Sequence, residues 1–230
     1  MDYRQSNGDH TLFFKHFRNE ISILLVYVDD MILTGDDLLK IEMLNDKLSA
    51  CFKIKRLENL KYFLGIEIAD SRCGIFLSQL KYILNLLKQT ETSGNKLATT
   101  PIDPDGKLVQ GEDSPPVDRG RYQRLIGKLI YLSHTRPNIT YTIRLSQFIH
   151  DPREVHNAAA RRVLLYLKGT PSYNLLFRPH GHTNVEIFID VDYAGSIVDK
   201  RSTSRYCSFL GGNLITWHNK KQLVVSRSSA

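Results

Sequence analysis

The chain has 230 residues, 42% of them hydrophobic, with 31 Lys and Arg against 24 Asp and Glu, a formal net charge of +7. This length and apolar content exclude wholesale disorder and allow one or two domains with real cores. No apolar run approaches the roughly 18–20 residues that span a bilayer, so no membrane partner is expected, and the three scattered cysteines, Cys51, Cys73 and Cys207, exclude a disulfide framework.

With no signal-peptide pattern at Met-Asp-Tyr-Arg, a reducing, intracellular compartment is the expectation. The basic excess favours polyanionic partners, nucleic acid first, but speaks to association and not to identity. In chain order, Leu12–Phe14 predicts a short strand. The run Ile21–Val28, the pair Asp29–Asp30 and the run Met31–Leu33 predict a β-hairpin with a tight polar break, closed by Gly35. Asp36 and Asp37 suit the N-cap and first turn of a helix from Leu38 to about Ala50, where the macrodipole favours negative charge. Leu60–Ile68 and Gly74–Leu77 read as a second hairpin, and Ser78 as the N-cap of a helix running to Lys88.

Residues 99–120 are polar, acidic and rich in Pro and Gly, the best linker in the chain. Three helices are predicted next. The first spans about Arg121 to His134, with Leu125, Leu129 and Leu132 on one face and Arg121, Arg124 and Lys128 on another. The second starts near Pro137 and ends before Pro152. The third runs from about Arg153 to Leu167, with Val155, Ala159, Val163 and Tyr166 as its apolar stripe and Arg161 and Lys168 on the far side. Gly169 and Pro171 end it. The period then changes to two, predicting strands at Asn174–Phe177, Val185–Asp190, Tyr206–Leu210, Leu214–Trp217 and Leu223–Val225, with Gly211-Gly212-Asn213 as a turn.

The chemistry-bearing pattern is the carboxylate pair. Adjacent aspartates between apolar strands are costly unless solvated, hydrogen-bonded or bound to metal. A polar hairpin tip in water is the plain reading. The functional one is a site for a hard divalent cation, which takes carboxylate oxygens. A phosphoacceptor receiver domain also ends an apolar strand in paired acids, but a helix follows them there, whereas Met31-Ile32-Leu33 follows here. His180 and His182 form a His-x-His that reads more readily as a loop than as a metal site.

Tyr27-Val28-Asp29-Asp30 resembles the YVDD box of reverse transcriptases. The surrounding text, LLVYVDDMILTG, KYFLGIEI, GIFLSQLKYILNLLK, YQRLIGKLIYLSHTRPNI, YLKGTPSYNLLF and RSTSRYCSFLGGNLITW, resembles Ty1/copia-type retrotransposon Pol polyproteins in order and spacing over nearly the whole chain. The resemblance implies an α+β fold. Residues 1–78 would be a partial palm with the YVDD and primer-grip-like hairpins, and residues 79–170 a helical thumb or connection. Residues 171–230 would begin a ribonuclease H-like sheet, left incomplete. It implies Mg2+ on Asp29 and Asp30, and Phe63, Leu64 and Gly65 as the primer grip. RNA or DNA template-primer would be the partner, with Arg121, Arg124, Lys128, Arg161 and Lys168 as backbone contacts. Asp190 would be a ribonuclease H metal ligand, Asp192 structural, and Asp199-Lys200-Arg201 a turn.

Arg205 departs from the Gly usual at its position in the family, which suggests coding decay. A further palm aspartate is expected upstream of the 28 residues that precede Asp29, and a ribonuclease H Glu after Ala230. The fragment by itself is therefore expected to be inactive, prone to self-association through exposed apolar sheet edges, and dependent on the missing fingers and first half of the palm. The alternative is a non-catalytic nucleic-acid-binding module from a decayed element.

Overall fold

A computed structural model describes residues 3–57, 60–94, 96–103, 113–191 and 202–222. The chain forms two compact units, Met1–Phe63 and Leu64–Ala230. Helices and antiparallel sheets occur together, the α+β mixture that the resemblance implies. The expected strand at Leu223–Val225, the acid Asp192 and the turn at Asp199–Arg201 lie outside the described residues.

In the first unit, β1 (Arg4–Gln5), β2 (Leu12–Phe17), β3 (Glu20–Tyr27) and β4 (Asp30–Gly35) make an antiparallel sheet in that order. The β-branched run predicted as a strand is β3, flanked by β2 and β4 on its two sides. Its Ser22 is fully buried and accepts a 2.8 Å hydrogen bond from the Tyr3 hydroxyl. The turn into α1 (Leu38–Cys51) needs glycine: Gly35 has φ +137°, and a Cβ there would collide with the Ile21 carbonyl.

The next two acids take different tasks. Asp37 is the N-cap, accepting from the Lys40 backbone N–H at 3.1 Å and pairing with Lys40 Nζ at 2.7 Å. The Asp36 carboxylate instead accepts the Ile21 N–H at 2.5 Å, tying the start of β3 to the end of β4. Asp36 thus lies before the helix and has no part in its first turn, a correction to the sequence reading.

The unit boundary follows a two-residue strand, β5 (Tyr62–Phe63). The strand expected over Leu60–Ile68 is broken, because Leu64 and Gly65 take φ +49° and +81° and turn the chain into β6 (Ile66–Ser71). Strand β7 (Gly74–Ser78) pairs with β6, and β8 (Leu175–Phe177) joins β7 on its far side. Residues 66–78 therefore share a sheet with a strand nearly one hundred positions later and belong to the second unit. Helix α2 (Leu80–Gln89) starts two residues beyond the expected cap. The Ser78 hydroxyl does accept the Leu80 N–H, at 3.2 Å, but Gln79 holds the N-cap position without a side-chain bond.

The core lies where α2, α3 (Arg119–Leu132), α4 (Thr142–Leu145) and α5 (Glu154–Gly169) meet. Ile83, Ile126, Leu129, Leu132 and Leu164 are at most 1% exposed. Each fully buried aliphatic of this kind stabilises the fold by about 1.5–3 kcal/mol relative to exposure. The predicted helix from Pro137 to Pro152 is instead a 3-10 turn (Pro137–Ile139), the four-residue α4 and a second 3-10 turn (Ser146–Phe148). Local hydroxyls compete with the helix ladder there: Thr140 bonds the Pro137 carbonyl at 2.7 Å and Ser146 the Ile143 carbonyl at 2.6 Å.

On α5 the buried residues are His156, Ala160, Val163, Leu164, Tyr166 and Leu167; Val163 and Tyr166 of the expected stripe are among them, while Val155 is 38% exposed and Ala159 half-buried. His156 takes the inner position because it stacks on Phe148 at 3.7 Å and its Nδ1 accepts the Arg153 N–H. The end of the expected linker is anchored: Val117 N–H donates to the Pro152 carbonyl at 3.1 Å and Glu154 N–H to that of Pro115 at 2.9 Å. Residues 104–112 lie outside the described part.

Strands β9 (Val185–Val191), β10 (Thr203–Leu210) and β11 (Asn213–Lys221) form an antiparallel sheet in the order β11-β10-β9. Gly211 and Gly212, at φ +53° and +72°, make the two-residue turn between β10 and β11 that the sequence predicts. Trp217 Nε1 donates to the Ser133 carbonyl at the C-terminus of α3, at 2.8 Å. Strand β9 lies at the sheet edge, and its Ile187, Phe188 and Ile189 are all more than half exposed.

Candidate functional site

Tyr27 closes β3 and Asp30 opens β4; the two are register partners, so Val28 and Asp29 form the turn. The tip is thus one residue earlier than the polar pair itself. Val28 has φ +50° and is 82% exposed. Left-handed backbone is unusual for any side chain and strained for a β-branched one, and the cost is not offset here by burial. Asp29 and Asp30 are exposed, and neither carboxylate has a hydrogen-bond or ion-pair partner among the described residues. They sit where solvent or a ligand reaches both. Asp9, just before β2, is committed locally: it accepts from Thr11 N–H at 2.9 Å and Thr11 Oγ1 at 2.6 Å, which holds its carboxyl below the usual range. Among the described residues no group of three His, Cys, Asp or Glu could hold a metal ion.

Phe63 ends the first unit; the second opens with the turn at Leu64–Gly65, whose shape is set by a helix of that unit. The Tyr131 hydroxyl of α3 donates to the Leu64 carbonyl. A Cβ on Gly65 would stand 2.7 Å from that hydroxyl. Glycine is therefore required twice, by its positive φ and by this close approach. Tyr131 was not singled out from the sequence. Its one signal is its place three residues after Lys128, on the helix that carries the basic positions.

Four of the five basic candidates come together. Arg121, Arg124 and Lys128 of α3 and Arg161 of α5 line one cleft of about 530 Å3, closed on its third side by the end of α2. Lys128 Nζ is held by Gln89 Oε1 at 2.5 Å. Lys168, half-buried near the end of α5, is not part of this cleft. Gln89 and Asn157, which add polar side chains to the lining, carried no sequence signal beyond being polar.

Asp190 lies on β9 directly opposite Arg205 on β10, and Arg205 Nη1 reaches its Oδ2 at 3.2 Å. The residue that departs from the family pattern thus engages the carboxylate expected to bind metal. His180 and His182 stand with ring centroids 6.3 Å apart beside an open surface dish. No helix among the described residues is long and apolar enough to cross a membrane.

Comparison with known proteins agrees with the hairpin and extends beyond it. Residues 1–104 match the family model for reverse transcriptase (RNA-dependent DNA polymerase). The chain is 40% identical over 225 residues to a retrovirus-related Pol polyprotein from transposon RE1 of Arabidopsis thaliana, an alignment covering 97% of this chain and 15% of that polyprotein. The chain therefore spans a small part of the polyprotein's length. It is 38% identical to an uncharacterized mitochondrial protein of the same plant over 90% of this chain and 86% of that protein. It is 32% identical to a putative transposon Ty5-1 protein of Saccharomyces cerevisiae over 93% of this chain and 70% of that protein. No solved structure matches the chain. With the YVDD hairpin formed and relatives aligned over nearly its whole length, the chain belongs to the family of copia-type retrotransposon Pol polyproteins and carries part of its reverse transcriptase.

Proposed function

We propose that this chain supplies the C-terminal part of the palm and the thumb of an RNA-directed DNA polymerase, followed by the start of a ribonuclease H-like domain. The observation that carries the reading is the strained, exposed turn at Val28–Asp29, which presents Asp29 and Asp30 between two paired strands inside the region matched by the reverse transcriptase model. Strain of this kind persists where the surrounding structure holds it, and a ligand-binding tip is one such place. Leu64 and Gly65, fixed by Tyr131, are the primer-grip-like turn in this reading. A template-primer is the partner and Asp190 the ribonuclease H carboxylate.

Reverse transcriptases generally use divalent metals. Magnesium demands a near-octahedral set of oxygen donors. Two adjacent exposed carboxylates supply only part of such a set, and the described residues contain no third member. The residues present do not complete the site, and no catalytic step is assigned to this chain alone.

The test is a chimera in which this chain replaces the matching 15% of the RE1 polyprotein. Primer extension on poly(rA)–oligo(dT) with magnesium is expected from the chimera, none from the 230-residue chain by itself, and none from a chimera carrying Asp29→Asn and Asp30→Asn. Extension by the doubly substituted chimera would overturn the reading. One observation favours a second reading, a decayed element: Arg205 pairs with Asp190. A chimera that extends primers but cleaves the RNA of an RNA–DNA hybrid only after Arg205→Gly would support it.

A further inference from the structure

The start of α5 is held by a side chain that must be uncharged. His156 stands in the first turn of the helix and is 2% exposed. Its Nδ1 accepts the Arg153 backbone N–H at 3.1 Å, so Nδ1 carries no proton and the proton of the neutral ring is on Nε2. Nε2 is buried without a hydrogen-bond partner. The ring lies flat on Phe148, with centroids 3.7 Å apart and 12° between the planes.

Arg153 is also the point at which the segment 114–117 is fastened. Glu154 N–H donates to the Pro115 carbonyl at 2.9 Å and Val117 N–H to the Pro152 carbonyl at 3.1 Å. Val155 N–H donates to the Ser114 hydroxyl at 3.3 Å, and Arg153 Nη1 to the Ser114 carbonyl at 3.4 Å. Pro116 and Arg153 form an antiparallel bridge. The segment leads directly into Asp118, the N-cap of α3.

A proton on Nδ1 would turn both ring nitrogens into donors and set one against the Arg153 N–H. The cation would be nearly without water and would stand at the positive end of the α5 macrodipole. Two groups favour it: Asp151, whose Oδ2 is already paired with Arg153 at 2.8 Å, and the face of Phe148. Arg153 itself opposes it. From α3, Arg119 is turned to His150 at 3.4 Å, and Asp118 is committed to the Arg121 N–H. On α5, Glu154 bonds Asn157. Among the described residues no carboxylate bonds a ring nitrogen of His156. Burial outweighs the rest and holds the imidazole below its usual 6.5.

We propose that His156 is an acid-operated latch: its neutral ring fastens the segment 114–117 to the start of α5, and protonation of Nδ1 releases the ring and the segment with it. The fastened form takes up a proton less readily than the open form. The latch is therefore at full strength above pH 6.5 and weakens as pH falls toward the lower value of the fastened ring.

The experiment is hydrogen–deuterium exchange of the full chain at pH 7.5 and 5.0, corrected for intrinsic exchange and read at the Val117 and Glu154 amides. The Ile83 amide, bonded to the Gln79 carbonyl at the start of α2, is the reference within the same unit. Each pH unit below 6.5 favours an open, freely titrating His156 by up to about tenfold, so protection at Val117 and Glu154 is expected to fall at least threefold and up to about thirtyfold. Protection at Ile83 is expected to stay constant. His156→Asn keeps a short acceptor that does not titrate and should give the same protection at both pH values. His150→Gln should behave as the parent does.

Constant protection in the parent would overturn the proposal. So would an equal fall at Ile83, which would mean global unfolding, a fall that persists in His156→Asn, or one that vanishes in His150→Gln. Nitrogen NMR of the parent ring gives a readout that needs no variant. At pH 7.5 it should show Nδ1 bare and the proton on Nε2, and a proton on Nδ1 would overturn the latch.

Discussion

Substituting Gly65 by Ala tests whether the Leu64–Gly65 turn is shaped by Tyr131. The backbone at φ +81° costs a non-glycine residue about 1–2 kcal/mol, and alanine's reduced freedom in the unfolded chain returns about 0.4–1 kcal/mol. The new Cβ would also stand 2.7 Å from the Tyr131 hydroxyl, so the hydroxyl must move and its bond to the Leu64 carbonyl is lost. That loss adds about 0.5–1.5 kcal/mol, for a net destabilisation near 2 kcal/mol. Urea unfolding followed by Trp217 fluorescence is a suitable assay. Trp217 is the single tryptophan, and it is bonded to α3 within the same unit. In a Tyr131→Phe background the hydroxyl is already absent, so Gly65→Ala is expected to cost about 1 kcal/mol less there. Equal costs in the two backgrounds would refute the claim that the hydroxyl sets the turn, and a neutral Gly65→Ala would refute the backbone argument as well.

Two other substitutions have defined outcomes. The hydrogen bond from Lys40 holds the Asp37 carboxyl below its usual 3.8, so its contribution to folding is present above that value and lost as pH falls through the lower folded one. Asp37→Ala is therefore expected to unfold more easily than the parent at neutral pH, with the two urea midpoints by circular dichroism converging in acid; a constant gap down to the lowest pH would contradict this. Arg205→Gly should change stability by less than about 1 kcal/mol, because the pair with Asp190 is exposed on both sides. It should also strengthen Mn2+-induced broadening of NMR signals around Asp190, and unchanged broadening would mean that Arg205 does not compete for that carboxylate.

Sequence alone determined the elements whose cause is local. The β3–β4 hairpin follows from β-branched runs around a polar break, α1 from its cap, and the β10–β11 turn from two glycines that tolerate positive φ. The acid pair alone reads as a solvated hairpin tip; the family was legible through the resemblance of the YVDD box and the text around it to copia-type Pol polyproteins. The basic faces of α3 and α5 were visible as helical spacing.

Tertiary structure decided the rest. Whether Arg121, Arg124, Lys128 and Arg161 share one cleft depends on how α3 packs against α5, which no period within either helix specifies. The helix expected after Pro137 gave way to short turns because Thr140 and Ser146 bond nearby carbonyls under a packed core. The stripe of α5 keeps Val163 and Tyr166 but takes in His156 in place of Val155, because Phe148, eight residues before His156, stacks on it. Arg205 met Asp190 through strand register alone. Propensity and spacing act over a few residues, whereas the contacts that assemble a site join residues distant in the chain, and only the folded packing chooses among them.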